Sequence, residues 1–216
     1  MSDITLYSYW RSSASWRVRI ALALKGIAYT YHPVHLVQDG GQQHSDAYRA
    51  INPAGLLPSL QIDGLTLAES LPIMEYLDET RPDPPLLPST PGDRAIARRL
   101  AELVNADIQP VQNLRVLQYV DAQYNAGKDG KAAWGKHWIK TGFDAMEPLL
   151  AQSAGVFSVG DTATIADCCL IPQVYNARRF KVDMAAYPTI ARIDSHCATL
   201  PAFQSAHSDV QPDAVL

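Results

Sequence analysis

Cysteine is scarce in this chain, with three in 216 residues. Cys168 and Cys169 are adjacent, Cys197 stands apart, and no CxxC spacing occurs. That count suggests neither a disulfide framework nor a cysteine-ligated zinc site, and a reducing compartment is expected. No run approaches the roughly 18 consecutive apolar residues of a membrane helix. The stretch from Met1 to Leu6 lacks a basic region followed by an apolar run, so the chain is expected in the cytoplasm and away from membranes. An excess of positive charge is also missing: 18 Lys and Arg against 22 Asp and Glu leave a formal net charge of -4. The basic residues are scattered among acidic ones, so nucleic acid is not expected as a partner. His32, His35, His44, His137, His196 and His207 have no metal-ligand spacing, and no metal site is expected.

The composition that remains, 47% hydrophobic and 19% charged, is that of an ordinary globular protein able to bury a full core. Ile4 to Tyr9 reads as a strand and Val18 to Leu24 as a helix with Ile20, Ala21 and Leu24 on one face. Gly26 ends that helix, because glycine takes the left-handed conformation without steric penalty, and Tyr29 to Leu36 reads as a second strand. After a short helix over Asp46 to Ile51, two strands, Pro58 to Ile62 and Leu65 to Leu67, flank the hairpin dipeptide Asp63-Gly64. A helix from Ser70 to Glu79 turns Leu71, Met74 and Leu77 toward the sheet. Five prolines between Arg81 and Pro91 mark a linker.

Beyond it the periodicity becomes helical, over Asp93 to Tyr124, Lys131 to Ala151, Ile165 to Phe180 and Thr189 to Thr199, with Pro110 expected to start a turn or kink. Thr164 and Asp167 have the spacing of a capping box. The expected architecture is α/β followed by all-α: a βαβ-ββα domain over residues 1–82, a Pro-rich linker over 83–91 and an all-helical domain over 92–216.

Three local patterns in the first half point to chemistry. Arg11, Ser12, Ser13, Ala14 and Ser15 form a polar turn between a strand and a helix N-terminus. Free N–H groups and the helix dipole at such a place favour an anion, and a serine hydroxyl can add a hydrogen bond, so a bound thiol would ionise more readily there. Leu57-Pro58 opens a strand; if that bond is cis, Leu57 can offer its backbone to an extended peptide ligand. Glu69-Ser70 starts the next helix, where Ser70 and neighbouring N–H groups can hold a carboxylate and Glu69 can pair with an ammonium. Helix capping alone would also account for the serines.

With these segments, and with GLLPSLQIDG, LAESLPIMEYLDETRP, ADIQPVQNLRVL and VGDTATIADCCLIPQVYNARRFKVD, the chain resembles the zeta class of glutathione transferases, and within it the maleylacetoacetate isomerases, over essentially its whole length. The resemblance implies a thioredoxin-like first domain, glutathione as cofactor and a homodimer. It further implies glutathione contacts from Ser12, Ser13, Ser15, Gln43, Leu57, Pro58, Glu69, Ser70, Gln109 and Asn113, with Ser12 the main support of the thiolate. The family usually has a cysteine where this chain has Ala14, so reactions that pass through a mixed disulfide at that position lose their sulfur.

The activity implied is glutathione-dependent cis-trans isomerisation of a small cis-diacid, maleylacetoacetate or maleylpyruvate, in aromatic catabolism. Two carboxylates and a developing enolate call for arginine, whose planar fork binds carboxylates at two points. Arg11, Arg115 and Arg179 are the candidates, with Arg11 and Arg179 joining Ser12 and Ser13 in catalytic roles; Arg178 is expected at the surface. Displacement of halide from α-halo acids and a non-catalytic binding module are the competing readings.

Overall fold

The computed structural model describes residues 4–215. Its contacts divide the chain into two units, Met1–Leu86 together with Thr199–Leu216, and Leu87–Ala198. The last segment therefore groups with the first unit, whereas the sequence reading placed it in the helical one.

In the first unit, strands β1 (Thr5–Ser8), β2 (Thr30–Pro33), β3 (Ser59–Ile62) and β4 (Leu65–Ala68) form one sheet in the order β2-β1-β3-β4. β1 pairs parallel with β2 and antiparallel with β3, and β3 pairs antiparallel with β4, as a βαβ unit followed by a hairpin requires. Asp63 and Gly64 turn that hairpin at φ 52° and 77°, the left-handed pair that matches strand twist. The helices are α1 (Ser13–Leu24), the short α2 (Asp46–Arg49) and α3 (Ser70–Thr80). Leu6, Leu60 and Ile62 of the sheet are buried, as are Val18, Ile20, Leu22, Ile73, Met74 and Leu77 of α1 and α3.

At the far end of α1 a buried ion pair closes the unit. Lys25 Nζ donates to Asp78 Oδ1 at 3.0 Å and to the carbonyls of Arg81 and Pro84, and Asp78 Oδ1 also accepts the Leu86 N–H at 2.6 Å. The beginning of the Pro-rich stretch is thereby tied to α1 and α3. Lys25→Met strands a buried carboxylate, and a loss of about 3–5 kcal/mol in urea unfolding is expected. A loss below about 1 kcal/mol would assign the hold on this stretch to Leu86 packing instead.

The second unit comprises α4 (Pro91–Glu102), α5 (Leu114–Tyr124), α6 (Gly127–Ser153), α7 (Ile165–Arg179) and α8 (Pro188–Cys197). The single helix expected from Asp93 to Tyr124 is instead three pieces: α4 runs into a π-helical turn at Leu103–Ile108, and a turn carrying Pro110 precedes α5. Proline supplies no N–H to continue the ladder, so the break falls where the sequence placed a kink. α6 starts earlier than expected and is the longest helix among the described residues. Its interior glycines are explained by close packing, since a Cβ at Gly135 would run into the Phe180 ring and one at Gly142 into Ile108.

α7 is buried on nearly all sides and packs on α4, α6 and α8. Thr164 and Asp167 form the expected capping box at its start. A further helix, α9 (Pro201–Ala206), was not anticipated; it packs on α1 within the first unit. Cys168, Cys169 and Cys197 are buried free thiols, and among the described residues no helix is long and apolar enough to cross a membrane.

Candidate functional site

The polar turn stands where β1 hands over to α1. Ser12 is the N-cap, at φ -68° and ψ 112°, and its Oγ accepts the Ser15 N–H at 3.2 Å. A hydroxyl has one proton and two lone pairs, so this acceptor role leaves the Ser12 proton available to an incoming anion. The first turn of α1 carries no acidic residue, and the positive end of its dipole is not neutralised by its own side chains. Ser13, the first helical residue, is buried, and so is Ser15. Ser15 Oγ has no hydrogen-bond partner among the described residues. Arg11 is exposed, with its guanidinium 5.3 Å from the centre of the Trp10 ring.

The Leu57-Pro58 bond is cis. Tyr48 Oη and Asn52 Nδ2 both donate to the Leu56 carbonyl, at 2.7 and 2.9 Å, and Tyr48 Oη also pairs with Ser59 Oγ at 2.9 Å. Burial raises the Tyr48 hydroxyl to about 12, so it remains a neutral donor. The backbone is thus held on both sides of Leu57. Among the described residues nothing takes up the Leu57 N–H or C=O by hydrogen bonding, which is the state a strand-like ligand needs.

At α3 the capping position is not the one that Ser70 as a cap would need. Glu69, and not Ser70, is the N-cap residue, at φ 68° and ψ 129°, and its side chain makes no cap bond. A non-glycine residue there costs about 1–3 kcal/mol and persists where its surroundings hold it. Among the described residues nothing pairs with the exposed Glu69 carboxylate, which is free for a cation. Ser70 is buried and its Oγ accepts from Arg17 Nη1 at 3.0 Å. Arg17 therefore fixes Ser70 as a donor toward any anion at this helix start.

Gln43, in a one-turn helix at Gln42–His44, is also buried, and its Oε1 has no partner among the described residues. Its amide lies against Gly41, where φ is 99° and a Cβ would come within 2.6 Å of Nε2. The positive φ is what favours glycine there, since the Gln43 amide is the end of a flexible side chain and could shift.

The remaining candidates belong to the second unit. Gln109 follows the π-helical turn, its N–H bonded to the Val104 carbonyl at 2.8 Å. Asn113 is the N-cap of α5, its Oδ1 accepting the Arg115 N–H at 3.1 Å, so it has a structural task as well. Arg115 is exposed in the first turn of α5. Arg179, the last residue of α7, donates to Asn176 Oδ1 at 3.2 Å and lies 5.4 Å from the centre of the Phe180 ring. Arg178 is exposed and paired with Asp194 at 2.6 Å.

Ser12, Ser13, Ser15, Gln43, Leu57, Pro58, Glu69 and Ser70 thus all fall in the first unit, at the starts of α1 and α3, in the one-turn helix and in the segment opening β3. What sequence reasoning missed is the support behind them, Arg17 and Arg19. The available signal was two arginines inside an otherwise apolar helix, both about 1% exposed in the structure.

Residues 6–85 match the family described as glutathione S-transferase, N-terminal domain. A probable maleylacetoacetate isomerase 2 of Drosophila melanogaster is 53% identical over 214 residues, covering 98% of this chain and 92% of that protein. Among solved structures, a holo maleyl pyruvate isomerase, described as a bacterial zeta-class glutathione S-transferase, superposes with a TM-score of 0.94 at 44% identity, covering 98% of this chain and all of that one. A maleylacetoacetate isomerase of Methylobacterium extorquens AM1, with bound malonate and glutathione, gives a TM-score of 0.93 at 40% identity, again covering 98% of this chain and 100% of the other. With the βαβ-ββα sheet and the serine turn in place, the chain belongs to the glutathione S-transferase family, among the zeta-class maleylacetoacetate and maleylpyruvate isomerases.

Proposed function

We propose that this protein is a glutathione-dependent cis-trans isomerase of maleylacetoacetate or maleylpyruvate, working as a cytoplasmic homodimer. The observation that carries the reading is the start of α1, where Ser12 has its acceptor role filled by Ser15 and keeps its proton for an anion. The residues present fit glutathione. The Leu57 backbone is unpaired for a peptide, the Glu69 carboxylate is free for the γ-glutamyl ammonium, and Ser70 is turned into a donor for its carboxylate. Gln43 Oε1 and Ser15 Oγ are buried polar atoms that await partners.

Bound glutathione supplies a thiolate whose reversible addition makes the carbon-carbon double bond single long enough to rotate, and whose elimination restores both the double bond and the thiol. Ser12, with the N–H groups of the first turn, holds the sulfur in its ionised form. Ser13 and Ser15 complete that turn. By the family resemblance, Gln109 and Asn113 are also assigned to glutathione. Arg11, Arg115 and Arg179 bind the substrate carboxylates, and Arg11 and Arg179 also stabilise the oxygen that gains charge on addition. Ala14 leaves no protein sulfur in the turn, so no mixed disulfide forms there.

An ultraviolet assay with each diacid, with and without glutathione, decides the matter. Isomerisation is expected only with glutathione, and without its consumption; halide release from an α-monohalo acid would consume it as a stable thioether. If neither diacid turns over in a glutathione-dependent way, the isomerase reading is lost. Arg179→Ala is expected to raise KM for the diacid by about 10- to 100-fold, the equivalent of one charge-assisted contact, while glutathione affinity stays the same. An unchanged KM would remove Arg179 from the substrate site.

A further inference from the structure

The peptide just ahead of the serine turn is gripped from two directions. Arg19, buried in α1, donates from Nη1 to Ser8 Oγ at 3.1 Å and to the Tyr9 carbonyl at 3.3 Å, from Nη2 to the Trp10 carbonyl at 2.9 Å, and from Nε to the Ala206 carbonyl at 3.1 Å. From the C-terminal segment, Asp213 Oδ2 accepts the Trp10 N–H at 3.0 Å, while its Oδ1 accepts from Tyr31 Oη of β2 at 2.6 Å. The Tyr9 carbonyl also receives the Ser12 N–H at 2.9 Å, the bond that closes the turn.

β1 ends at Ser8, so the sheet offers the Trp10 N–H no partner, and a buried N–H needs one. A water would satisfy that need without fixing a position. A carboxylate anchored by its second oxygen to a neighbouring strand fixes the position as well. Burial lowers Arg19 to about 10, so it stays cationic at neutral pH, with Asp213 among the groups that favour its charge. The C-terminal segment has independent reasons to stay docked, since α9 packs on α1 and His207 meets Trp16 edge to face at 4.7 Å, and Gln211 Nε2 ties the stretch after α9 back to the Ser205 and His207 carbonyls. Removing the Asp213 side chain therefore frees the Trp10 N–H while the segment stays in place.

We propose that Asp213, with Arg19, is a positioning residue for the thiol site: the C-terminal segment fixes the Tyr9–Trp10 peptide, and thereby sets where the Arg11 side chain and the Ser12 hydroxyl are presented. The proposal rests on the isomerase reading above and adds to it a role for a segment far away in the sequence.

The test compares Asp213→Ala, Asp213→Asn and Tyr31→Phe with the parent protein, reading the ultraviolet thiolate band of bound glutathione against pH alongside steady-state isomerisation. Asp213→Ala is expected to lower kcat/KM for the diacid about 10- to 100-fold, the cost of a misplacement of order 1 Å. It is also expected to move the titration midpoint of the bound thiol up by about 0.5–1 pH unit. Glutathione affinity should change by no more than about threefold, since Leu57 and Ser70 are untouched. Asparagine keeps an acceptor for the Trp10 N–H and is expected to hold activity within about threefold of the parent.

If Asp213→Ala does not fold, Tyr31→Phe, which loosens the carboxylate without removing it, should shift the thiol midpoint in the same direction by a smaller amount. A parental midpoint and rate in Asp213→Ala, or in Tyr31→Phe where that variant stands in, overturns the proposal. So does an asparagine variant as impaired as alanine, which would make charge the operative property. A parent protein with no thiolate band would instead sink the isomerase reading, taking the positioning role with it.

Discussion

Ser12→Ala is expected to lower kcat/KM for diacid isomerisation by about 10²–10³, the effect of deleting one donor aimed at a reacting anion. The structure shows why the loss should be catalytic more than structural. Ser12 Oγ caps α1 by accepting the Ser15 N–H, and such a cap contributes about 1 kcal/mol to stability. The proton on the same oxygen is the one the thiolate would use. Alanine removes both, so a modest drop in melting temperature should accompany a large drop in rate. The bound thiol, deprived of that hydrogen bond, should ionise at higher pH, and the rate of the variant should climb with alkalinity over a range where the parent has levelled off. Ser12→Thr keeps both the hydroxyl and the cap and should retain most of the activity. A Ser12→Ala enzyme within about threefold of the parent, with the same pH profile, would assign the thiolate to the α1 N–H groups alone.

Asp167→Ala is expected to lower stability by about 3–5 kcal/mol, a large part of the roughly 5–15 kcal/mol typical of a folded protein. Asp167 is fully buried at the start of α7. Its Oδ1 accepts the Ser158 N–H at 2.8 Å, and its Oδ2 accepts the Thr164 N–H at 2.8 Å and the Thr164 hydroxyl at 3.1 Å. Burial pushes the carboxyl upward while these bonds pull it down. Alanine leaves two buried N–H groups unpaired and removes the Asp167 half of the capping box, while Thr164 Oγ keeps the Ala166 N–H. The side-chain amide introduced by Asp167→Asn could accept at one oxygen only, so that variant should fall between the parent and alanine in urea unfolding. A loss below about 1 kcal/mol for alanine would mean that α7 is held by its apolar packing alone.

The elements that sequence reasoning placed well share one property: their signals are local. The short strand-like run at β1, the glycine after α1, the Asp63-Gly64 turn and the Thr164–Asp167 capping box each act over a few neighbouring residues, so each reads out before the chain folds. Pro110 gave a break for the same reason, because the missing N–H belongs to the residue itself. The π-helical turn at Leu103–Ile108 has no such local cause and was read as plain helix. Ser70 was legible as a polar residue at a helix start, but its work was not, since that depends on Arg17, 53 positions away. α9 was missed because six residues are too few for a periodic signal to show.

What the amino-acid order determined by itself is the succession of strands and helices and the polar residues at the two helix starts, because propensity, turn chemistry and capping are properties of short stretches of chain. Tertiary structure alone decided which groups stand behind those residues: the guanidinium of Arg17 at Ser70, and Arg19 with Asp213 on the Tyr9–Trp10 peptide. Those bonds join residues up to 203 positions apart. A buried polar group takes its partner from whatever the packed core brings within reach, and that partner is settled only when distant segments come together.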